Sequence, residues 1–196
     1  MTTHAALALL VGYLLGSVPF GLLLTWMAGK GDIRDIGSGN IGATNVLRSG
    51  SKKLAALTLL FDAAKGAAAV LIIQLIWPDA VRFAAAGALI GHLFPVWLKF
   101  KGGKGVATFL GILIPLLPVA ALVFVLVWIG LLLAVRISSA AGMAAAASAP
   151  LTAFILGDQQ LFLMLLAFAM LVIWRHHENI RRLIAGTEPR VGGSKA

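Results

Sequence analysis

Long runs without charged residues divide the chain into apolar segments joined by short polar connections. Most runs are close to the roughly 20 residues that a helix needs to cross a bilayer. The apolar runs are Ala5–Gly29, Leu54–Trp77, Val81–Leu98, Val106–Val135, Ile137–Leu156 and Gln160–Trp174. Only the second run carries charges near its middle, at Asp62 and Lys65. The pattern predicts an all-α integral membrane protein.

The run Val106–Val135 is too long for one ordinary membrane-spanning helix and contains Pro115 and Pro118 near its middle. Proline lacks a backbone N–H and clashes with the preceding helical turn, so two prolines three residues apart break a helix. We therefore expect two helices joined at this point. With this break, the chain has seven predicted transmembrane helices.

The basic residues fix the predicted orientation. The chain has 16 Lys and Arg against 7 Asp and Glu, and Lys and Arg concentrate in cytoplasmic loops. Seven spans with the N-terminus outside put every basic residue on the cytoplasmic side except Lys65, within a span, and Arg82, beside an outer turn. A single crossing by Val106–Val135 would move Arg136 and the basic tail outside. The C-terminus is therefore expected in the cytoplasm.

Composition supports this class of protein. Hydrophobic residues make up 60% of the chain and charged residues 12%, whereas a soluble domain has about 25% charged residues. The absence of cysteine excludes disulfides, thiolate metal sites and cysteine nucleophiles. Met1–His4 lacks the basic start of a signal peptide, so the first span is expected to be retained. We expect one polytopic domain over residues 1–196.

The basic excess has two explanations, attraction to anionic lipid headgroups or an anionic substrate, and the glycine-rich loops favour the substrate. Glycines bring backbone N–H groups close to an anion, and a following helix start adds a positive dipole end. In the first loop, hydroxyl and amide side chains add neutral hydrogen bonds and Arg48 adds a charged one. The alternative is a plain polar connection. The candidate phosphate-binding residues here are Gly37, Ser38, Gly39, Asn40, Thr44, Asn45 and Arg48.

A second loop, Lys99–Thr108, combines lysines and glycines where the chain re-enters the membrane. It differs from a P-loop, in which Gly-x4-Gly-Lys-Ser/Thr follows a strand, because Lys104 precedes Gly105 and no strand is expected. Nucleotide hydrolysis is therefore not indicated. The alternative is a basic membrane anchor, which would not need the glycines. The candidate phosphate-binding residues are Lys101, Gly102, Gly103 and Lys104.

The third candidate segment is the tail. If the last helix continues past Trp174, then His176, Asn179 and Arg182 share one face by i,i+3 spacing. This face would offer a base, an amide and a cation. The alternative is an amphipathic tail on lipid headgroups.

Other polar residues within the spans have simpler explanations. Asp62 and Lys65, one helical turn apart, are expected to neutralise each other, although intramembrane charges are also functional candidates. His92 is expected to be a core histidine. Gly12 and Gly16 have the spacing of a helix-packing motif. We expect no metal site, because the histidines lack an acidic cluster. Ser138 and Ser139 open the sixth predicted span on the inner side and are further candidates for the site.

Three segments together resemble the bacterial acyl-phosphate:glycerol-3-phosphate acyltransferase family of the PlsY type. The similar segments are Gly37–Arg48, then Gly91–Pro95 with Lys101–Thr108, then His176 with Asn179–Ile180, and also Asp62–Gly66. The resemblance extends over nearly the whole chain with its spacing in register.

This resemblance implies a seven-helix, multi-pass enzyme of the bacterial inner membrane with its site at the cytoplasmic face. It would transfer a fatty acyl group from acyl phosphate to the 1-hydroxyl of glycerol 3-phosphate, giving lysophosphatidic acid and phosphate in the first step of phospholipid synthesis. Membrane lipid would surround it, no cofactor or nucleic acid would be bound, and we expect a monomer. The residues that match the family's functional positions are Ser38, Arg48, Lys104, His176 and Asn179, with Thr44.

The expected mechanism is direct acyl transfer without an acyl-enzyme, since no cysteine and no Ser-His-Asp set is visible. Either His176 or a substrate phosphate oxygen would take the hydroxyl proton, and the neighbouring His177 leaves two histidines to distinguish. No histidine has Asp five residues later, which separates the chain from acyltransferases with a His-x4-Asp pair. The rival class is a small transporter or channel for a phosphorylated anion, which would need polar groups through the midplane.

Overall fold

The computed structural model describes residues 3–192, and this part of the chain is helical without β-strands. Short 3₁₀ turns at Ile33–Asp35, Pro78–Ala80 and Val96–Leu98 lie between the α-helices. The helices are α1 (Thr3–Gly16), α2 (Phe20–Met27), α3 (Ala43–Arg48), α4 (Lys52–Ile76), α5 (Val81–Leu93), α6 (Val106–Leu116), α7 (Pro118–Val135), α8 (Ser138–Ile155), α9 (Gln159–Arg175) and α10 (His177–Ile184).

Five helical segments in residues 3–192 are long and apolar enough to cross a membrane. They are Thr3–Met27, Lys52–Ile76, Pro78–Leu98, Pro118–Val135 and Ser138–Ile155. The pair α9 and α10, bent by 60°, forms a sixth candidate. Helix α6 is apolar but has only 11 residues, about 16 Å at 1.5 Å per residue. The all-helical membrane class is confirmed, whereas the count of seven crossings also requires α6 and stays a prediction.

The first predicted span, Ala5–Gly29, is not one continuous helix. It breaks between α1 and α2, where Pro19 removes a helical donor. The break frees carbonyl groups, and side chains from other elements bind them. The Lys65 ammonium donates to the Val18 carbonyl over 2.7 Å, and the Trp97 indole donates to the Ser17 carbonyl over 2.8 Å. The third span is also shorter in helix than predicted, since α5 ends at Leu93 before Pro95.

The charged pair within the second span forms as predicted. Lys65 Nζ lies 2.6 Å from Asp62 Oδ1, and both side chains are almost fully buried. His92, buried on α5, places Nδ1 3.7 Å from the same oxygen. Mutual pairing offsets the large cost of taking charges out of water. The pair therefore joins α4 to the break between α1 and α2.

Glycines allow two helix pairs to pack closely. A Cβ on Gly12 or Gly16 of α1 would collide with the backbone of Ala84 or Ala88 on α5, which confirms the packing role of this motif. Gly87 and Gly91 of α5 lie equally close to α1. In the same way, Gly66 of α4 and Gly111 of α6 approach each other's helices. Small residues permit this close approach in the membrane, where packing and not water exclusion drives association.

The predicted break in Val106–Val135 is confirmed: α6 ends at Leu116 and α7 begins at Pro118, with Leu117 in a non-helical conformation. The chain divides at this point into two compact units, residues 3–116 and residues 117–192. In the second unit, α8 packs against α7 and α9. The face of α8 that does so is rich in buried alanines, among them Ala141, Ala145 and Ala149.

Candidate active site

The first glycine-rich loop is organised by Asn45, which is 2% exposed. Its amide oxygen accepts hydrogen bonds from the backbone N–H of Ser38 over 2.9 Å and from the Ser38 hydroxyl over 3.3 Å. Its NH2 group donates to the carbonyls of Ile33 and Ile36. Both ends of the Asn45 amide are thus bonded within the loop. Asn45 fixes the position of Ser38, and its predicted contact with phosphate stays a prediction.

Arg48 lies over the same loop. A Cβ added to Gly37, whose φ is +60°, would lie 3.0 Å from Arg48 Cδ and 3.6 Å from a terminal guanidinium nitrogen. Glycine at this position therefore serves both the left-handed backbone and the close approach of the arginine. Arg48 is the last residue of α3 and is exposed. The structure thus brings Arg48 close to Gly37, the residue that precedes Ser38.

The remaining candidates of the first loop differ in their exposure. Asn40 Oδ1 accepts the backbone N–H of Gly42 over 2.9 Å, which closes a turn just before α3. Gly39 has a φ of +65° and donates its N–H to the Ile36 carbonyl. Thr44 lies in the first turn of α3 and is exposed. Of these residues, Gly39 and Thr44 are exposed and Asn40 is half-buried, and their predicted contact with phosphate stays a prediction.

The second loop is anchored to the C-terminal end of α5. The backbone N–H of Gly102 donates to the Leu93 carbonyl over 3.2 Å, and that of Gly103 donates to the His92 carbonyl over 3.0 Å. A Cβ on Gly103 would collide with the His92 ring. These two glycines are needed because the loop passes so close to α5. Their N–H groups are used within the protein, and their predicted contact with phosphate stays a prediction.

The two candidate lysines of this loop differ in burial. Lys101 is exposed, whereas Lys104 is half-buried. Gly105, with a φ of +89°, follows Lys104 and accepts the N–H of Phe109 as α6 begins. Lys104 therefore stands at the start of a helix, on a loop whose path is fixed by two backbone hydrogen bonds to α5. Water screens the charge of a half-buried ammonium group less than that of an exposed one. The position of Lys104 therefore favours binding of an anionic ligand over the alternative of a basic membrane anchor.

In the tail, the condition for the expected shared face is not met, because the helix does not continue straight past Trp174. Helix α9 ends at Arg175 and α10 begins at His177, with a bend of 60° between them. The backbone N–H of His176 bonds to Ile173, as in a 3₁₀ turn, which closes α9 at this residue. His176 and Asn179 are both buried, at 3% and 4% exposure, whereas His177 and Glu178 are exposed, and a shared face of His176, Asn179 and Arg182 stays a prediction.

The two adjacent histidines have different environments. Nδ1 of His176 lies 2.7 Å from the Val172 carbonyl, an acceptor, so this nitrogen carries the proton of the neutral ring. Nε2 is then the basic nitrogen. His177 contacts the Trp174 carbonyl and ring at the surface. Both rings have Nδ1 facing a carbonyl and so share the same tautomer, and it is burial that favours His176 over His177 as a base.

Asn179 belongs to a polar cluster around Glu188, a residue that the sequence analysis did not single out. Its NH2 group donates to Oε1 of Glu188 over 2.5 Å, and the Ser139 hydroxyl donates to the same oxygen over 2.6 Å. Arg182 Nε donates to Oε2 over 2.7 Å. Burial raises the pKa of Glu188, but these three hydrogen bonds outweigh it and hold the pKa below its ordinary value. Glu188 therefore remains ionised at neutral pH.

One sequence signal points to Glu188. Gly186, with a φ of +69°, ends α10, and the N–H groups of Gly186 and Thr187 bond to Leu183 and Arg182. This is the Schellman motif, which reverses the chain after a helix. A glycine just beyond the periodic segment predicts such a reversal. After this reversal, Glu188 lies back alongside α10, where it bonds to Asn179 and Arg182.

Each unit thus holds part of the predicted set. The unit of residues 3–116 contains Ser38 and Lys104 on two loops and Arg48 at the end of α3, and the unit of residues 117–192 contains His176 and Asn179. No group of three or more His, Cys, Asp or Glu residues that could hold a metal ion occurs in the part of the chain that the structure describes.

Comparison with known proteins identifies the family. A family model described as glycerol-3-phosphate acyltransferase matches residues 6–186. The glycerol-3-phosphate acyltransferase of Agrobacterium fabrum is 53% identical over 188 residues, covering 95% of this chain and 92% of that protein. The corresponding protein of Mesorhizobium japonicum is 54% identical over 192 residues and 98% of each chain.

The fold is similar to that of a solved enzyme. The crystal structure of PlsY (YgiH), an integral membrane glycerol 3-phosphate acyltransferase, in its glycerol 3-phosphate form has a TM-score of 0.90 and 40% identity, covering 96% of each chain. Its lysophosphatidic acid form has a TM-score of 0.88 and 39% identity. The chain therefore belongs to the glycerol-3-phosphate acyltransferase family and is a multi-pass membrane acyltransferase of phospholipid biosynthesis.

Proposed function

We propose that this enzyme transfers a fatty acyl group from acyl phosphate to the 1-hydroxyl of glycerol 3-phosphate, releasing lysophosphatidic acid and inorganic phosphate. The observation that carries the proposal is the similarity, at 40% identity over 96% of the chain, to an acyltransferase solved in glycerol 3-phosphate and lysophosphatidic acid forms. Both substrates carry phosphate, and the chain offers Arg48 and Lys104 on glycine-rich loops to bind it.

The choice of acyl phosphate as donor rests on the chemistry of the residues. The chain has no cysteine, and acyl phosphate already has a good leaving group, so catalysis needs mainly positioning and charge stabilisation. We assign phosphate binding to Arg48 and Lys104, with Ser38 and its loop as further contacts. The other proposed phosphate-binding residues are Gly37, Gly39, Asn40, Thr44, Asn45, Lys101, Gly102 and Gly103.

The proposed reaction is a single displacement at the acyl carbon. The glycerol hydroxyl oxygen forms a bond to the carbonyl carbon, the bond from that carbon to the phosphate oxygen breaks, and phosphate leaves with the electron pair. Nε2 of His176, or an oxygen of a substrate phosphate, receives the hydroxyl proton. The buried His176 with its proton on Nδ1 supports the first of these routes.

The donor is tested with purified enzyme in detergent. Acyl phosphate and glycerol 3-phosphate together should yield phosphate and lysophosphatidic acid in equal amounts, with little phosphate when glycerol 3-phosphate is left out. Acyl-CoA supplied in place of acyl phosphate should give no product. Product from acyl-CoA alone would contradict the proposed donor, and a transporter would release no phosphate.

We also propose that the protein crosses the bacterial inner membrane seven times, as one functional domain over residues 1–196 that acts as a monomer with its site facing the cytoplasm. The distribution of basic residues supports this topology. Reporter fusions placed at Ser49 and after residue 195, which lies outside the described residues, should both report a cytoplasmic location. A fusion after residue 195 that reports the periplasm would exclude seven crossings.

A further inference from the structure

Glu188 is a buried carboxylate that the proposed reaction does not use. Its side chain is 4% exposed, and it lies in the segment that returns after α10. The same segment is held to the C-terminal end of α7 by a backbone hydrogen bond from Val191 to the Arg136 carbonyl, 2.6 Å long. The position of Glu188 is therefore fixed at both ends, by the reversal at Gly186 and by this bond.

Three donors from two helices converge on this carboxylate. Ser139 of α8 and Asn179 of α10 donate to Oε1, and Arg182 of α10 donates to Oε2. Hydrogen bonds to an ionised acceptor are stronger than those between neutral groups. In a chain with a formal net charge of +9, these three donors of the second unit hold an anion.

The bond from Asn179 determines which way its amide faces. An asparagine amide has a donor end, the NH2 group, and an acceptor end, the oxygen Oδ1. Because the NH2 group donates to Glu188, Oδ1 lies on the opposite side of the planar amide. An ionised phosphate offers acceptors and would attract the NH2 group, whereas a hydroxyl group is a donor that Oδ1 can accept.

We infer that Glu188 is a positioning residue that orients the Asn179 amide so that Oδ1 accepts a hydrogen bond from a hydroxyl group of the acyl acceptor. Ser139 and Arg182 hold the carboxylate in place, so it cannot turn away from Asn179. Asn179 would then recognise the alcohol part of glycerol 3-phosphate and not its phosphate. The inference rests on the proposed function, since it names the part of the acceptor that Asn179 binds.

A double-variant cycle tests whether Glu188 acts through Asn179. Glu188→Ala should lower kcat/KM for glycerol 3-phosphate by about tenfold to a hundredfold, because a misplaced positioning group costs this much. In an Asn179→Ala background, the same change should cost less than about twofold. The matched control, Glu178→Ala, removes an exposed acid of α10 and should stay near the wild-type value. Losses that multiply in the double variant would overturn the inference.

A reciprocal exchange gives a second test that keeps side-chain shape and net charge. Asn179→Asp alone places two carboxylates together and should be strongly impaired. In the variant that also carries Glu188→Gln, the amide NH2 at position 188 can donate to the carboxylate at position 179, which restores the hydrogen bond in the reverse direction. The second carboxylate oxygen at position 179 then remains as the acceptor for the substrate hydroxyl. The pair should recover at least about tenfold of the lost kcat/KM.

If Glu188→Ala does not fold, the exchange alone tests whether Glu188 orients Asn179. A double variant that is folded but no more active than Asn179→Asp overturns the inference. The wild-type rate reports on the proposed function, whereas the ratios between variants report on Glu188. The two proposals can therefore fail separately.

Discussion

Replacing Lys104 by alanine should lower acyl transfer by about a hundredfold or more, with Arg48→Ala also strongly impaired. Removing one partner of a desolvated charge pair typically costs about 2–5 kcal/mol, and about 1.4 kcal/mol corresponds to a tenfold change in rate. Lys104 is half-buried and Arg48 exposed, so we expect the larger loss at Lys104, where water screens the charge less. The measurement is kcat/KM with acyl phosphate and glycerol 3-phosphate in detergent.

The matched control is Lys53→Ala. Lys53 is an exposed cation in the first turn of α4, a few residues after Arg48, and its loss should change the rate by less than about twofold. Arg48→Lys should restore only part of the activity, because lysine cannot form the bidentate contact of a guanidinium group. Near-normal activity of folded Lys104→Ala would remove this residue from the site.

The helical framework was largely predictable because the bilayer imposes it. Charge-free runs must be helices to bond their own backbone, and Pro115 with Pro118 marked the break between α6 and α7. The break at Pro19 was missed because that run also lacks charges, although its proline was visible in the sequence. The bend at His176 could not be predicted in this way. At the bend the His176 N–H bonds to the Ile173 carbonyl and the imidazole contacts the Val172 carbonyl, and no sequence pattern marks these contacts.

The hydrogen-bond partners of the predicted site residues were less predictable than the helices. Asn45 was predicted as a phosphate contact from its position, but its burial and its bonds to Ser38 and the Ile36 carbonyl depend on the folded loop. Likewise, the N–H groups of Gly102 and Gly103 bond to carbonyls of α5. Helix α5 is close to this loop in the sequence, but no sequence pattern reveals these bonds. Sequence thus indicates which residue types are present, whereas hydrogen-bond partners come from packing.

The second large loss of activity is expected at His176, and the adjacent His177 serves as its control. His176→Ala should lower kcat by about a hundredfold or more, since general base catalysis contributes about 10²–10⁴. His177→Ala should be nearly silent because its ring lies at the surface. If His176 takes the proton, the loss appears in kcat, because proton removal matters in the transition state and not in binding. If it only holds glycerol 3-phosphate, KM should rise instead.

His176→Asn separates catalysis from folding. The asparagine NH2 group occupies nearly the place of Nδ1 and can donate to the Val172 carbonyl, so this variant keeps the bond to α9 but has no nitrogen in place of Nε2. It should therefore be as stable to heat as the wild type and as inactive as His176→Ala. A folded His176→Asn variant with near-normal kcat would exclude His176 as the base. The proton would then pass to a substrate phosphate, and the buried histidine would serve to hold α9 and α10 at their angle.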